Sequence, residues 1–250
     1  MSLFILLPVI FFSSMILTMI GLGGGLVFSP FFVLIGFPIS TAVAASLFLN
    51  GIAALSALIV YIQKKMVDFS VSIPLVVTSL LGAPMGALVT HKVDIKIFFI
   101  LLAAVLFLAA MRMLFSKKTQ NRSEAVSWQT RVFGGGAIGF FIGFMGGLLG
   151  IGGGVFIVPL LIYLIKVPTK IAAASSIFIV CFSSFSGFAA HAATASIDWQ
   201  FVILASICSF AGGQIGSRIM VEKLKGRTIR VLFGIILLFM CIKILHKAFI

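Results

Sequence analysis

Acidic residues are scarce in this chain: five Asp and Glu stand among 250 residues, against 18 Lys and Arg. All five (Asp68, Asp94, Glu124, Asp198 and Glu222) fall between apolar stretches rather than inside them. That placement argues against a proton relay built on buried carboxylates. Charge of either sign is thin, at 9% of residues, which is too little to give a folded domain a water-facing surface. Cysteine is limited to Cys181, Cys208 and Cys241, all inside apolar spans, so no disulfide framework is expected. They read as small packing residues. No His, Cys and carboxylate group shows ligand spacing, so neither a metal nor another cofactor is expected.

Apolar residues fill the space that charge leaves, at 62% of the chain with a mean hydropathy of +1.31. They form long runs at 3–20, 41–62, 70–90, 97–111, 132–149, 171–190, 199–217 and 228–242. Most are long enough, with their flanks, to cross a hydrocarbon core as helices. The expected fold class is therefore an all-α integral membrane protein. The net charge of +13 does not point to nucleic acid, because Lys and Arg cluster in short connections as membrane anchors do. Residues 1–4 lack a basic region and the first span has no small-residue cleavage site, so it is expected to stay as a helix. Tyr61, Trp128, Tyr163 and Trp199 lie near span ends, where an interfacial belt is expected. His91 and His191 lie at helix ends and are expected to be solvated or interfacial.

Two stretches nearly repeat one another. Gly21-Leu22-Gly23-Gly24-Gly25 is followed by Pro30, and Gly150-Ile151-Gly152-Gly153-Gly154 by Pro159, an offset of 129. Pro38 then matches Pro168, and residues 42–48 match 172–178. Asp68 matches Asp198, Gly82 matches Gly212 and Gly86 matches Gly216, all at an offset of 130. Such an ordered series points to duplication. Each half holds a glycine-rich hairpin followed by three longer helices, which gives repeats at 1–116 and 132–250 joined by the charged loop 117–131.

Charge selects the relative orientation. If each glycine hairpin enters and leaves on one side, the halves are inverted, with fourteen Lys and Arg on one face and four on the other. A single crossing per hairpin makes the halves parallel and the count nine against nine. The positive-inside bias favours the asymmetric count. Inverted repeats are therefore expected, with both termini outside and the loop 116–131 cytoplasmic.

A helix that begins after a glycine-rich turn presents unpaired N–H groups and the positive end of its dipole. Two such starts meeting near mid-membrane would form an anion site without a charged side chain. The candidate substrate residues are accordingly Gly23, Gly24, Gly25, Gly152, Gly153 and Gly154. Polar side chains within spans add Ser46, Asn50, Ser175, Ser176 and Gln214. Close helix packing is the other use of glycine in such chains, and Gly134-Gly135-Gly136, Gly139 and Gly143 fit it. The repeated clusters do not fit a soluble nucleotide-binding loop, which needs a strand and a P-loop lysine.

The duplicated glycine motif, the later prolines and the Ala/Ser-rich helix after the second proline resemble the TauE/SafE family of membrane transporters, described as sulfite exporters. The resemblance covers nearly the whole chain, including Asp68 and Asp198 before the next helix of each half. It implies a non-enzymatic transporter of a small anion such as sulfite, sulfoacetate or another organosulfonate across the plasma membrane. The expected partners are that anion, the bilayer and a coupling ion, H+ or Na+. The motif positions of the family are Gly21, Gly23, Gly24, Gly25 and Pro30, with Gly150, Gly152, Gly153, Gly154 and Pro159. The copies differ upstream, where Gly143, Gly146 and Gly147 stand against Ser14, Leu17 and Thr18, so the hairpins are expected to pack unequally. An anion channel, or a thiol protein using Cys181 or Cys208, is the competing reading.

Overall fold

The computed structural model describes residues 3–89, 135–163, 165–192 and 197–249, with Ala103, Phe107, Ala110, Met111 and Leu114 between them. The loop 117–131, most of the span 97–111, Gly134, His91 and Trp128 lie outside the described residues. Nine described elements are helices: α1 (Leu3–Met19), α2 (Gly25–Leu34), α3 (Ile39–Gln63), α4 (Phe69–Val89), α5 (Gly135–Leu149), α6 (Gly154–Tyr163), α7 (Thr169–Ala192), α8 (Trp199–Glu222) and α9 (Gly226–Phe249). Four of them, α3, α4, α7 and α8, are long and apolar enough to cross a membrane. The short helices α2 and α6 have ten residues each, about 15 Å at 1.5 Å per residue, or half a hydrocarbon core.

Duplicated residues start duplicated helices. Pro38 and Pro168 precede α3 and α7, and each gives its carbonyl to the fourth residue on (Ala42 and Ala172 N–H, 2.8 Å in both). Asp198 caps α8 by accepting from the Gln200 and Phe201 amides at 3.1 and 3.2 Å, and Asp68 accepts from the Ser70 amide at 3.1 Å. These acids satisfy helix-start donors that have no partner within the helix.

Packing joins the halves. Helix α3 crosses its counterpart α7 at the centre, α1 lies along α8, and α4 lies along α5. Because α1 and α5 are equivalent, as are α4 and α8, the last two contacts are copies of one another. Glycine permits both. A Cβ on Gly212 would lie 2.9 Å from Ser14 Cβ, and one on Gly143 would lie 2.5 Å from the Ser79 carbonyl oxygen. The α4–α5 seam has glycine on both helices (Gly82 and Gly86 against Gly139, Gly143 and Gly147). In the α1–α8 seam the α1 side instead offers Ser14, whose Oγ is 3.0 Å from Ser209 Oγ. The expected inequality of the hairpins is therefore present in their packing. Replacing Gly143 with leucine is expected to prevent α4 and α5 from assembling, because the obstacle is backbone. A sharp peak for that variant at the native elution volume in detergent size exclusion would contradict this.

Outward positions are apolar along the length of α4 (Ile73, Val77, Leu81, Met85 and Leu88, each at least half exposed) and α8 (Ile203, Ile207 and Ile215). Ile73 and Val77 are the repeat equivalents of Ile203 and Ile207. A duplicated apolar stripe of this kind suits a lipid-facing surface.

Two side chains differ from expectation. Tyr61 is fully buried and its hydroxyl donates to the Thr18 carbonyl at 2.9 Å, so it is a packing residue and not part of an interfacial belt. Trp199 is 52% exposed and fits that belt. His191 is buried at 1% exposure, its Nε2 3.4 Å from the Gly147 carbonyl, because α5 ends against α7 there.

Candidate functional site

The two glycine turns meet midway along α3. Asn50 stands eleven residues from the start of α3 and thirteen from its end, and its carboxamide is fully buried between the turns. Its Oδ1 accepts from the amides of Gly24 (2.5 Å) and Gly25 (2.8 Å), which caps α2. Its Nδ2 donates to the Ile151 carbonyl (3.3 Å) and to Ser184 Oγ (2.8 Å), which ties in the second turn. Only glycine lets the backbone come this close. Gly23 and Gly152 have φ of +73° and +72°, and a Cβ on either would collide with the Asn50 carboxamide.

The serines repeat the theme. Ser46 donates to the Gly150 carbonyl at 2.9 Å, and its repeat equivalent Ser176 donates to the Gly21 carbonyl at 2.8 Å. Each helix of the central pair thus holds the turn of the opposite half. Asn50 breaks this symmetry, since its equivalent is Val180. Both side chains wedge between the turns: a Cβ on Gly25 would lie 3.1 Å from Asn50 Cγ, and one on Gly154 would lie 3.0 Å from Val180 Cγ2. A valine offers no acceptor to the amides of Gly153 and Gly154. The start of α2 is therefore occupied by the protein's own carboxamide, whereas the start of α6 is not.

Gly23, Gly24, Gly25, Gly152, Gly153, Gly154, Ser46, Asn50 and Ser176 come together here, and all are buried. Ser175 does not join them. One residue before Ser176 it turns the other way and accepts from the Asp68 amide at 2.9 Å. Gln214 also lies elsewhere, with its Nε2 donating to the Ser56 carbonyl at 3.2 Å, six residues or about 9 Å along α3 from Asn50. The sequence reading passed over Ser29, Ser183 and Ser184. Ser29 donates to the Leu149 carbonyl (3.0 Å) and Ser183 to the Gly152 carbonyl (2.9 Å). Their repeat equivalents include the alanines Ala53 and Ala54, so the duplication gave no signal for Ser183 and Ser184.

The two ends of the bundle differ. At the α3 C-terminal end, a cavity of about 520 Å³ lies between the turns 65–71 and 165–171. Lys65, Asp68, Lys166 and Val167 are among its lining residues. The repeat equivalents of those turns, so far as they are described, are 197–201 and 35–41, at the α3 N-terminal end. There Phe37 and Phe201 stand with ring centroids 5.9 Å apart, and Phe32 lies 5.8 Å from each. Val71 and Val167 line the cavity where their equivalents Phe201 and Phe37 close the opposite end. The hairpin α1–α2 has its outer ends on the aromatic side, among Leu6, Ile10, Phe32 and Phe201. The hairpin α5–α6 leaves on the cavity side, at Ile165 and Lys166.

Accessibility should follow this difference. With Cys181, Cys208 and Cys241 replaced by serine, Val67→Cys at the cavity is expected to react with a water-soluble maleimide at least ten times faster than its equivalent Ile197→Cys. Equal rates would contradict a one-sided opening.

Cys181 is buried, its Sγ 4.0 Å from the Gly51 carbonyl, and Cys208 is half-buried on α8. Among the described residues no group of His, Cys, Asp and Glu is arranged to hold a metal ion.

Long apolar helices, glycine turns that interrupt the two short hairpins midway along α3, and a knot of neutral polar side chains define a helical membrane protein with a polar centre. A family model described as Sulfite exporter TauE/SafE matches residues 6–244, and the chain belongs to that family. It is 26% identical to a probable membrane transporter protein of Bacillus subtilis, over 92% of each chain. It is also 26% identical to one of Haemophilus influenzae, over 83% of this chain and 80% of that protein. A probable membrane transporter protein of Methanocaldococcus jannaschii is 30% identical over 40% of each chain. No solved structure matches the chain.

Proposed function

We propose that this chain is a secondary transporter that carries a small anion across the plasma membrane, with its substrate site at the paired glycine turns. The observation that carries this reading is the meeting of two helix starts at mid-depth, held by Asn50, Ser46 and Ser176. Backbone amides at such starts favour anions, and family membership directs the choice toward sulfite, sulfoacetate or a related organosulfonate. Alternating access between inverted halves belongs to the same proposal. It is supported by hairpins that leave at opposite ends of α3, and by a cavity whose repeat equivalent is filled with phenylalanine rings. The conformation then reads as open on one side and closed around the turns.

Orientation follows the charge. Lys64, Lys65, Lys166 and Lys170 stand at the cavity end, and Lys170 Nζ donates to the Val221 carbonyl at 3.0 Å, so the α8 C-terminus lies there too. On the positive-inside rule this end is cytoplasmic and the termini are outside. Substrate movement is coupled to H+ or Na+ in this reading.

Counterflow in proteoliposomes tests the proposal with a panel of sulfite, thiosulfate, sulfate, sulfoacetate and taurine. Saturable exchange of at least one anion, altered by an imposed H+ or Na+ gradient, is the expected result. Flux that rises linearly with concentration would replace the transporter with a channel. No flux of any of them would remove the anion assignment.

A further inference from the structure

We infer that the cavity at the cytoplasmic end is an anion-binding vestibule, in which Lys65 and Lys166 hold a small anion bearing a short apolar group before it reaches the glycine turns. The inference rests on the transport reading for its role, and on the cavity itself for its chemistry. At about 520 Å³ the space suits a small organic ligand. One lysine comes from each half, and both belong to turns that line the same space.

The backbone marks both positions. Lys65 (φ 53°) and Lys166 (φ 60°) are the non-glycine residues with positive φ among the described residues. At the closed end, the repeat equivalent of Lys166 is Gly36, with φ +97° and open space around its Cβ position. The turn can therefore be made with glycine, yet the copy that faces the cavity carries a lysine in a conformation that disfavours side chains. Local strain of that kind concentrates where a side chain is used for binding.

The charge is available. Asp68 also lines the cavity, but its Oδ1 accepts from Ser70 N (3.1 Å) and Ser70 Oγ (2.6 Å), so that carboxylate oxygen is engaged at the start of α4. Two cations against one such acid leave an electropositive cavity that concentrates anions. Polar and apolar groups share the rest of the wall, and the side chains of Met66, Val67, Phe69, Val167 and Ile171 offer contact to a hydrocarbon part that a bare oxyanion would not use. The vestibule also adjoins the turns: Ser175 holds the Asp68 amide at 2.9 Å, and the next residue, Ser176, holds the Gly21 carbonyl at 2.8 Å.

Titration calorimetry on the detergent-purified full chain at low ionic strength tests this with butanesulfonate, methanesulfonate and sulfate as probes. Butanesulfonate is expected to bind at least threefold more tightly than methanesulfonate, and sulfate to bind most weakly. Lys166→Gly, which relaxes the turn, and Lys65→Gly are each expected to weaken butanesulfonate about tenfold, while Lys166→Arg stays within threefold of the native chain. Lys64→Gly, outside the cavity lining, is the charge control and should leave binding unchanged. Absence of binding by the native chain, or equal affinity in Lys65→Gly, Lys166→Gly and Lys64→Gly, overturns the vestibule. Counterflow separates the two proposals. Native flux with unaltered butanesulfonate binding in the lysine variants would leave the transporter without the vestibule. Lysine-dependent binding with no flux would leave the vestibule without the transporter.

Discussion

Gly23→Ala and Gly152→Ala are expected to reduce the initial counterflow rate per folded protein at least tenfold. Each position has a left-handed backbone, at +73° and +72°. Adding a Cβ there costs about 1–2 kcal/mol before any contact is considered. The contact is the larger effect. The new methyl on Gly23 would overlap Asn50 Oδ1, and that on Gly152 would overlap Asn50 Nδ2 and Ser184 Oγ. The carboxamide cannot move without leaving the Gly24 and Gly25 amides, at about 1–3 kcal/mol for each buried group left unsatisfied. Gly36→Ala supplies the comparison: it shares the positive φ but meets nothing within 4 Å. If Gly152→Ala transports as well as Gly36→Ala, the turns are not the site.

That ranking shows what the sequence could and could not convey. The repeat spacing located both turns and the serine pair Ser46 and Ser176, because duplicated residues stand at a constant offset and each serine bonds the opposite turn. Helix class and most boundaries followed from apolar run length, since few charges interrupt them. Helix faces were not legible in the same way. Ser175 and Ser176 are adjacent in the chain, yet a rotation of about 100° per residue sends one to the Asp68 amide and the other to Gly21. Gln214 sits between Gly212 and Gly216, glycines that admit α1 (Ser14, Met15 and Thr18), and the helix carries it away from the glycine turns. Tyr61 and His191 looked interfacial because they stand at span ends, where neighbouring helices in fact cover them. Most instructive is Asn50. Its polarity inside an apolar span marked it as unusual, but only its place opposite Val180 shows that it caps one helix start and not the other.

Asn50 therefore carries the second large effect. Asn50→Leu removes the acceptor from two buried amides and the donor from Ile151 and Ser184, and is expected to abolish counterflow. At about 1–3 kcal/mol for each of the two amides left unsatisfied, and about 2–4 °C per kcal/mol for a chain of this size, its melting temperature should fall by roughly 4–24 °C. Such a loss alone would not separate a structural clamp from a substrate site, so Asn50→Asp is the sharper variant. An aspartate keeps oxygen acceptors for Gly24 and Gly25 and so keeps the cap. Ionised, it places a negative charge beside the turns and sets an oxygen against the Ile151 carbonyl; protonated, it is neutral and recovers one donor. The sign follows directly: an anion arriving at these turns is repelled by the ionised form, so flux should be lowest at high pH and should recover as pH falls and the carboxyl takes up its proton. The ratio of Asn50→Asp to native rates, measured with an anion whose own charge is constant over the range, is expected to rise several-fold from pH 8 to pH 5. A ratio independent of pH, with the variant folded throughout, would mean that the carboxamide only holds the turns together and that the anion passes elsewhere.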